Sequence, residues 1–209
     1  MNWFLDMCII IYYSSKGESI FYKKSLAFIE KHKGEKFLIC KYITSNDMPK
    51  WIKRQRVIVD EAVKKIKDQS YDFETSEGWK LLYSKDKATV EKLVLASKFN
   101  SNKEEYIKLI INSQKEIELE INRVVGTLCE EVLPIEEIDF DLKSSIYTFT
   151  KNHSDSNILA SGIQLHQKRD IKIMTGDKKD WNENNLSWVF ESRPDLAKKY
   201  PKIPKINYI

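Results

Sequence analysis

Three aspartates stand where chain elements end, and a carboxylate in such a place is a candidate metal ligand. Asp6 closes the apolar run "WFLD" (3–6), and Asp155 lies at the start of an apolar helical pattern in "HSDSNILASGI" (153–163). Asp177 follows the run "IKIM" (171–174) in "IKIMTGDKKDW". In α/β folds the C-terminal ends of parallel strands line the ligand crevice. A strand that ends in Thr175, Gly176 and Asp177 aims an acid into that crevice. Each acid also has a plainer use. Thr-Gly-Asp is good turn chemistry, and Ser154 or Asp155 suits a helix N-cap. The three in this order, each at a strand or helix end, favour the chemical reading.

Competing chemistries have less support. Cys8, Cys40 and Cys129 are scattered and form no C-x-x-C, which reads as reduced, mostly buried thiols. The three histidines are dispersed, which disfavours zinc. No Ser-His-Asp or Cys-His arrangement stands out. "FLDMC" has the form of a phosphatase nucleophile motif, but that chemistry wants a second Asp where Cys8 stands.

The chain has 209 residues, 42% hydrophobic and 32% charged, a composition for a globular core with room for an insertion. No apolar run approaches the roughly 20 residues of a membrane span. The N-terminal run carries Asp6 and no basic leader, so it does not read as a signal peptide.

Strands are expected at 3–6, 35–43, 132–135 and 171–174, with a last short one at "INYI". Helical spacing fills 19–33, and "TSND" before Pro49 marks the start of a helix that runs to about residue 67. Residues 68–84 read as irregular and 86–98 as helical. Ser101 and Glu104 form a capping box ahead of a helix of nearly thirty residues. Further helices fall at 141–151, 156–168 and near 195–200. Strands alternating with helices predict a parallel α/β sheet. The stretch 68–131, with helices and no convincing strand, reads as a helical insertion within a single domain spanning 1–209.

The sequence resembles the PIN-domain ribonucleases, the superfamily that includes the VapC-type toxins. "FLDMCIII", "DSNILASGI" and "MTGDKKDW" carry the resemblance, over about residues 2–13 and 135–182. It implies a three-layer sandwich around a central parallel sheet, and an acidic cluster that binds Mg²⁺ or Mn²⁺. By motif, Asp6, Asp155 and Asp177 are the core acids and Thr175 hydrogen-bonds among them. Asp180 corresponds to a further acid just after the Thr-x-Asp, with one extra lysine between. The family also places an acid on the helix after the second strand. Asp47 and Glu61 are the candidates, although capping before Pro49 and i,i+4 pairing with Lys65 are their plainer uses.

The activity implied is metal-dependent endoribonuclease cleavage in the cytoplasm, as a toxin or in RNA processing. A PIN-like module that binds RNA or protein without cutting is the alternative. A flap-nuclease-type DNA enzyme is a third reading, short of that group's longer run of acids. An antitoxin or other protein partner and a homodimer are associations the family makes conceivable. The net charge of +4 says little, but positive charge gathers in "KWIKRQR" (50–56), "HQKR" (166–169) and "KKYPKIPK" (198–205). Lys50, Lys53, Arg54 and Arg56 are the expected RNA-phosphate contacts, with Trp51 either stacked on a base or packed in the core.

Overall fold

A computed structural model describes all residues, 1–209. In chain order the elements are β1 (Asn2–Leu5), α1 (Met7–Ser14), α2 (Ile20–Lys31), β2 (Lys36–Cys40), α3 (Met48–Lys67), α4 (Glu77–Lys80) and α5 (Ser84–Ser97). There follow α6 (Lys103–Leu128), β3 (Cys129–Val132), α7 (Phe140–Thr150), α8 (His153–Lys168), β4 (Lys172–Thr175), α9 (Glu183–Ser192), α10 (Pro194–Lys199) and β5 (Lys205–Tyr208). The chain divides into two compact units, Met1–Met48 with Glu120–Ile209, and Pro49–Leu119.

The first unit is an α/β unit around five parallel strands in the order β3-β2-β1-β4-β5. β1 is buried from Trp3 to Leu5 and there reads "WFL" with no polar alternation, as a strand covered on both faces must. Successive side chains point to opposite faces. Trp3 meets Phe28 of α2 edge-on at 4.9 Å, whereas Phe4 and its register partner Ile173 lie against Gly162 of α8. A Cβ on Gly162 would stand 3.0 Å from Ile173 Cδ1 and 3.3 Å from Phe4 Cδ1, so glycine is what lets α8 approach this closely.

Strand order reverses between β1 and β4. From β1 the chain runs outward through β2 to β3, then returns to place β4 and β5 on the other side. That reversal is the topological switch point, where open parallel sheets bind ligands.

Several boundaries differ from the sequence expectation. The third strand is Cys129–Val132 rather than 132–135, because Leu133 turns left-handed (φ 57) and Pro134 has no N–H to donate. β3 is an edge strand, and its Glu130 and Glu131 are exposed. The second strand stops at Cys40, and the chain is already helical at Lys41. "TSND" is therefore helix interior and not a cap. It forms a π turn, Ile43–Asp47, in which the Met48 N–H donates to Ile43 O. Pro49 follows at once, and its missing N–H and ring crowding do not suit a regular helix interior. Asn102, not Ser101, caps α6, accepting from Glu105 N at 3.1 Å. Helices α1 and α9 were not expected. Asn182 caps α9 by accepting from Asn185 N at 2.9 Å.

The second unit is helical and spans Pro49–Leu119, so its bounds differ from the expected insertion 68–131; residues 129–131 belong to β3. Ile58, Ala62, Trp79, Leu82 and Val90 form one core cluster, and Ile66, Tyr106, Ile107 and Ile110 another. Phe73, from the stretch expected to be irregular, stacks on Trp79 at 4.1 Å.

Phe4 is fully buried between the sheet and α8. Phe4→Ala should lower unfolding stability by about 3–5 kcal/mol, read from denaturant titration.

Candidate metal centre

Asp6 follows β1 and Asp177 follows β4, so both stand at the C-terminal edge of the sheet on either side of the switch point. The Asp6 N–H donates to Met174 O at 3.0 Å, which ties the two strand ends together. Asp6 occupies the N-cap position of α1, yet its side chain makes no capping bond. Its Oδ2 accepts instead from Thr175 Oγ1 at 2.7 Å and from Cys8 Sγ at 2.9 Å. Burial pushes the Asp6 carboxyl above its ordinary range, and the hydrogen bonds from Cys8 and Thr175 only partly offset this. Burial, with the Asp6 charge, likewise raises the Cys8 thiol, which keeps its proton and serves as a donor.

Thr175 works in two directions. It donates to Asp6 and accepts the Asp177 N–H at 3.0 Å. Gly176 between them donates its N–H to Cys8 Sγ at 3.1 Å. A Cβ there would stand 3.0 Å from Tyr12 Cε2 and 3.3 Å from Cys8 Sγ, so the glycine of Thr-Gly-Asp answers a packing need. Asp177 does cap the next turn: its Oδ1 accepts from Lys179 N at 2.9 Å and Asp180 N at 3.0 Å. This turn brings the Asp180 carboxylate back toward that of Asp177.

Asp155 lies in the first turn of α8, but Asn152 is the cap, accepting from Ser154 N at 2.9 Å. Ser154 Oγ in turn donates to Asp47 Oδ2. Neither Ser154 nor Asp155 is spent on capping.

Asp155, Asp177 and Asp180 each offer a carboxylate oxygen, and these oxygens lie within 4.8 Å of one another. All three residues are half-buried. The grouping differs in membership from the expected core of Asp6, Asp155 and Asp177. Asp180 stands in the close trio, while Asp6 is joined to it through Thr175. The Asp155 carboxyl is pushed up to about 7, first by burial and then by the charges of Asp6, Asp177, Asp180 and Asp47. A helix N-terminus would ordinarily favour its ionised form, so burial, with the acids around it, outweighs the helix. Oxygen-only donors gathered under mutual repulsion are what a hard divalent cation fits.

The other candidates are distributed as follows. Asp47 sits in the π turn beside Ser154 and is near enough to act on Asp155. Glu61 is buried in the second unit and accepts from Ser76 Oγ at 2.8 Å, Tyr71 Oη at 2.9 Å and Lys64 Nζ at 2.9 Å. Burial alone would raise its carboxyl, but these donors hold it below the usual carboxylate range. Also in the second unit, Arg54 pairs with Asp86 at 3.5 Å and lies over the Tyr83 ring, and Arg56 pairs with Glu118. Lys50 and Lys53 are exposed, and Trp51 lines an apolar groove with Ile58, Leu93 and Ile110. Sequence reasoning passed over Cys8 as a partner of Asp6. It also passed over Lys178 and Lys179, two exposed cations between Asp177 and Asp180. The run "GDKKD" carried that second signal.

A raised carboxyl sets the sign of a pH effect. Protonating Asp155 favours the folded state, so its contribution in metal-free protein is full below the ordinary carboxylate range and is lost as pH rises through about 7. A bound cation removes that loss and competes with protons. Melting temperature in EDTA should therefore fall between pH 6 and pH 8. Millimolar Mn²⁺ should raise it, by about 2–4 °C per kcal/mol of binding, and more at the higher pH. Asp155→Asn should flatten both responses. Coincident melting in EDTA and Mn²⁺ at pH 8 would remove the metal centre.

Comparison with protein-family models, with curated proteins and with solved structures returns no match.

Proposed function

We propose that this chain is a divalent-cation-dependent endoribonuclease of PIN-like architecture. The observation that carries the reading is the trio Asp155, Asp177 and Asp180, with carboxylate oxygens within 4.8 Å at the switch point of a parallel sheet. The PIN-like motifs "FLDMCIII", "DSNILASGI" and "MTGDKKDW" contribute these same acids and Asp6.

Asp155, Asp177 and Asp180 would hold Mg²⁺ or Mn²⁺, with Asp6 supporting them from the buried side. When bound, such a cation polarises a phosphate and lowers the pKa of a coordinated water for attack on phosphorus. The protein's own groups supply the rest. Thr175 fixes Asp6 and Asp177 in one hydrogen-bonded frame. The bare acids would repel a phosphodiester, so substrate approach and cation binding are linked. Lys178 and Lys179 flank the acids and would meet the substrate's phosphates without reading its sequence. In the second unit, Lys50 and Lys53 are open to such contacts, while Arg54 and Arg56 are held by Asp86 and Glu118.

The alternative, an RNA- or protein-binding module without cleavage, has one observation in its favour. Of the two candidates for a fourth acid, Glu61 is held by three donors in the second unit, and Asp47, with one oxygen accepting from Ser154, stands outside the close trio.

The deciding experiment is cleavage of single-stranded RNA in Mg²⁺ or Mn²⁺. Asp155→Asn and Asp177→Asn should each lower the rate by more than about 100-fold, the upper range for losing even a ligand-orienting partner. EDTA should abolish cleavage. RNA bound but left intact by the wild type would select the alternative.

A further inference from the structure

The opposite edge of the same sheet is basic. Lys36, Lys172 and Lys205 are the first residues of β2, β4 and β5, and Lys172 and Lys205 are register partners. Lys168 and Arg169 end α8 beside them, and Lys202 lies in the segment leading to β5. The acids on this edge are fewer. Glu130 is shared by Arg169 at 3.2 Å and Lys36 at 3.8 Å, Asp170 faces His166 at 3.7 Å, and Glu35 is occupied by His32 and Trp3. Lys172 lies over the Trp3 ring at 5.5 Å. Lys168, Lys202 and Lys205 are exposed and make no ion pair.

Part of this edge is concave and held in place. A pocket of about 290 Å³ is lined by His166, Gln167, Lys168, Arg169, Asp170 and Lys202. Gln167 clamps the backbone of Lys202 from both sides, donating from Nε2 to its carbonyl at 2.7 Å and accepting its N–H at 3.3 Å. The cations of α8 and of the segment before β5 are thus set against each other by a fixed bridge rather than by side-chain chance.

We infer that this N-terminal edge is a second contact for the phosphate backbone of RNA, separate from the acidic edge and engaged only by longer strands. The inference rests on the reading of RNA as substrate. Strands of four residues put the two edges on the order of 13 Å apart through the sheet, and farther around it. A short oligonucleotide at the acids would not reach the lysines, whereas a long one could occupy both. Phosphates suit the edge because it offers several cations in a row with few acids between. Met1 and Ile203 are the exposed large apolar side chains here, too few for insertion into a lipid surface.

The test is binding of labelled single-stranded RNA with Ca²⁺ in place of Mg²⁺ or Mn²⁺, so that the acids hold a hard cation, scored on strands that a gel shows intact. A strand of about 30 nucleotides is compared with one of about 4. Replacing Lys168, Lys202 and Lys205 with Ala together should weaken binding of the long strand at least tenfold. It should also reduce the slope of log affinity against log salt by about 2, the loss of three single-strand phosphate contacts. The short strand should be unaffected. The same three positions changed to Arg should retain wild-type affinity, which separates charge from folding. Unchanged long-strand affinity and slope in the alanine variant would overturn the inference. So would binding of phosphatidylserine vesicles in preference to the long RNA. Loss of long-strand binding in the alanine variant, with RNA that the wild type binds and never cuts, would uphold this edge and sink only the nuclease reading.

Discussion

A carboxylate cut off from water must be given hydrogen-bond donors by the protein around it. Asp6 receives two on a single oxygen, one from Thr175 at the end of β4 and one from Cys8 in the first turn of α1. Satisfying this one group constrains the C-terminal ends of β1 and β4. Thr175 has its hydroxyl proton committed to Asp6, so its lone pair is what receives Asp177 N–H and starts the following turn. Cys8, drawn toward Asp6, also accepts Gly176 N–H and leaves no room for a side chain at that glycine. The turn then returns Asp180 to Asp177 through the Asp177 cap. The position of the acidic trio is inherited, bond by bond, from a buried acid that is not one of its close members.

Two acids in this chain are buried to opposite effect. Glu61 has three donors and no acid against it, so its ionised form is favoured despite burial. Asp155 has no such donors: its partial burial, and then the four carboxylates acting on it, push its carboxyl up to about 7. The first is a solved structural problem, a charge neutralised inside the second unit. The second is a problem left standing by the fold, and it makes the acidic trio a candidate functional site.

The sequence made the parallel α/β class legible because the apolar runs at β1, β2 and β4 are short and uninterrupted, as strands covered on both faces are. The acids Asp155 and Asp177 were legible from their places at element ends. Asp180's rank was not, because it depends on a turn whose geometry comes from hydrogen bonds to Asp177 Oδ1. The helix α1 was hidden by Ile9, Ile10 and Ile11, whose β-branched run favours a strand by local preference. Packing against α2 and β4 overrode it. The π turn at Ile43–Asp47 has no periodic signature, and "TSND" before proline looks like a cap in any sequence. The reach of the second unit back to Pro49 was also hidden, since Ile58, Ala62 and Ile66 would serve as a core-facing stripe in either unit.

The outer strands also govern how copies of the molecule can meet. An open sheet edge is a template on which a neighbouring chain can lay a strand, the route to fibres. β3 is only four residues long, and its exposed Glu130 and Glu131 would face the same charges on an antiparallel or in-register copy. At the other edge, Asn207 turns its amide inward to Ile173 O, and β5 begins with an exposed lysine. Growth of the sheet by strand addition is thereby discouraged at both ends.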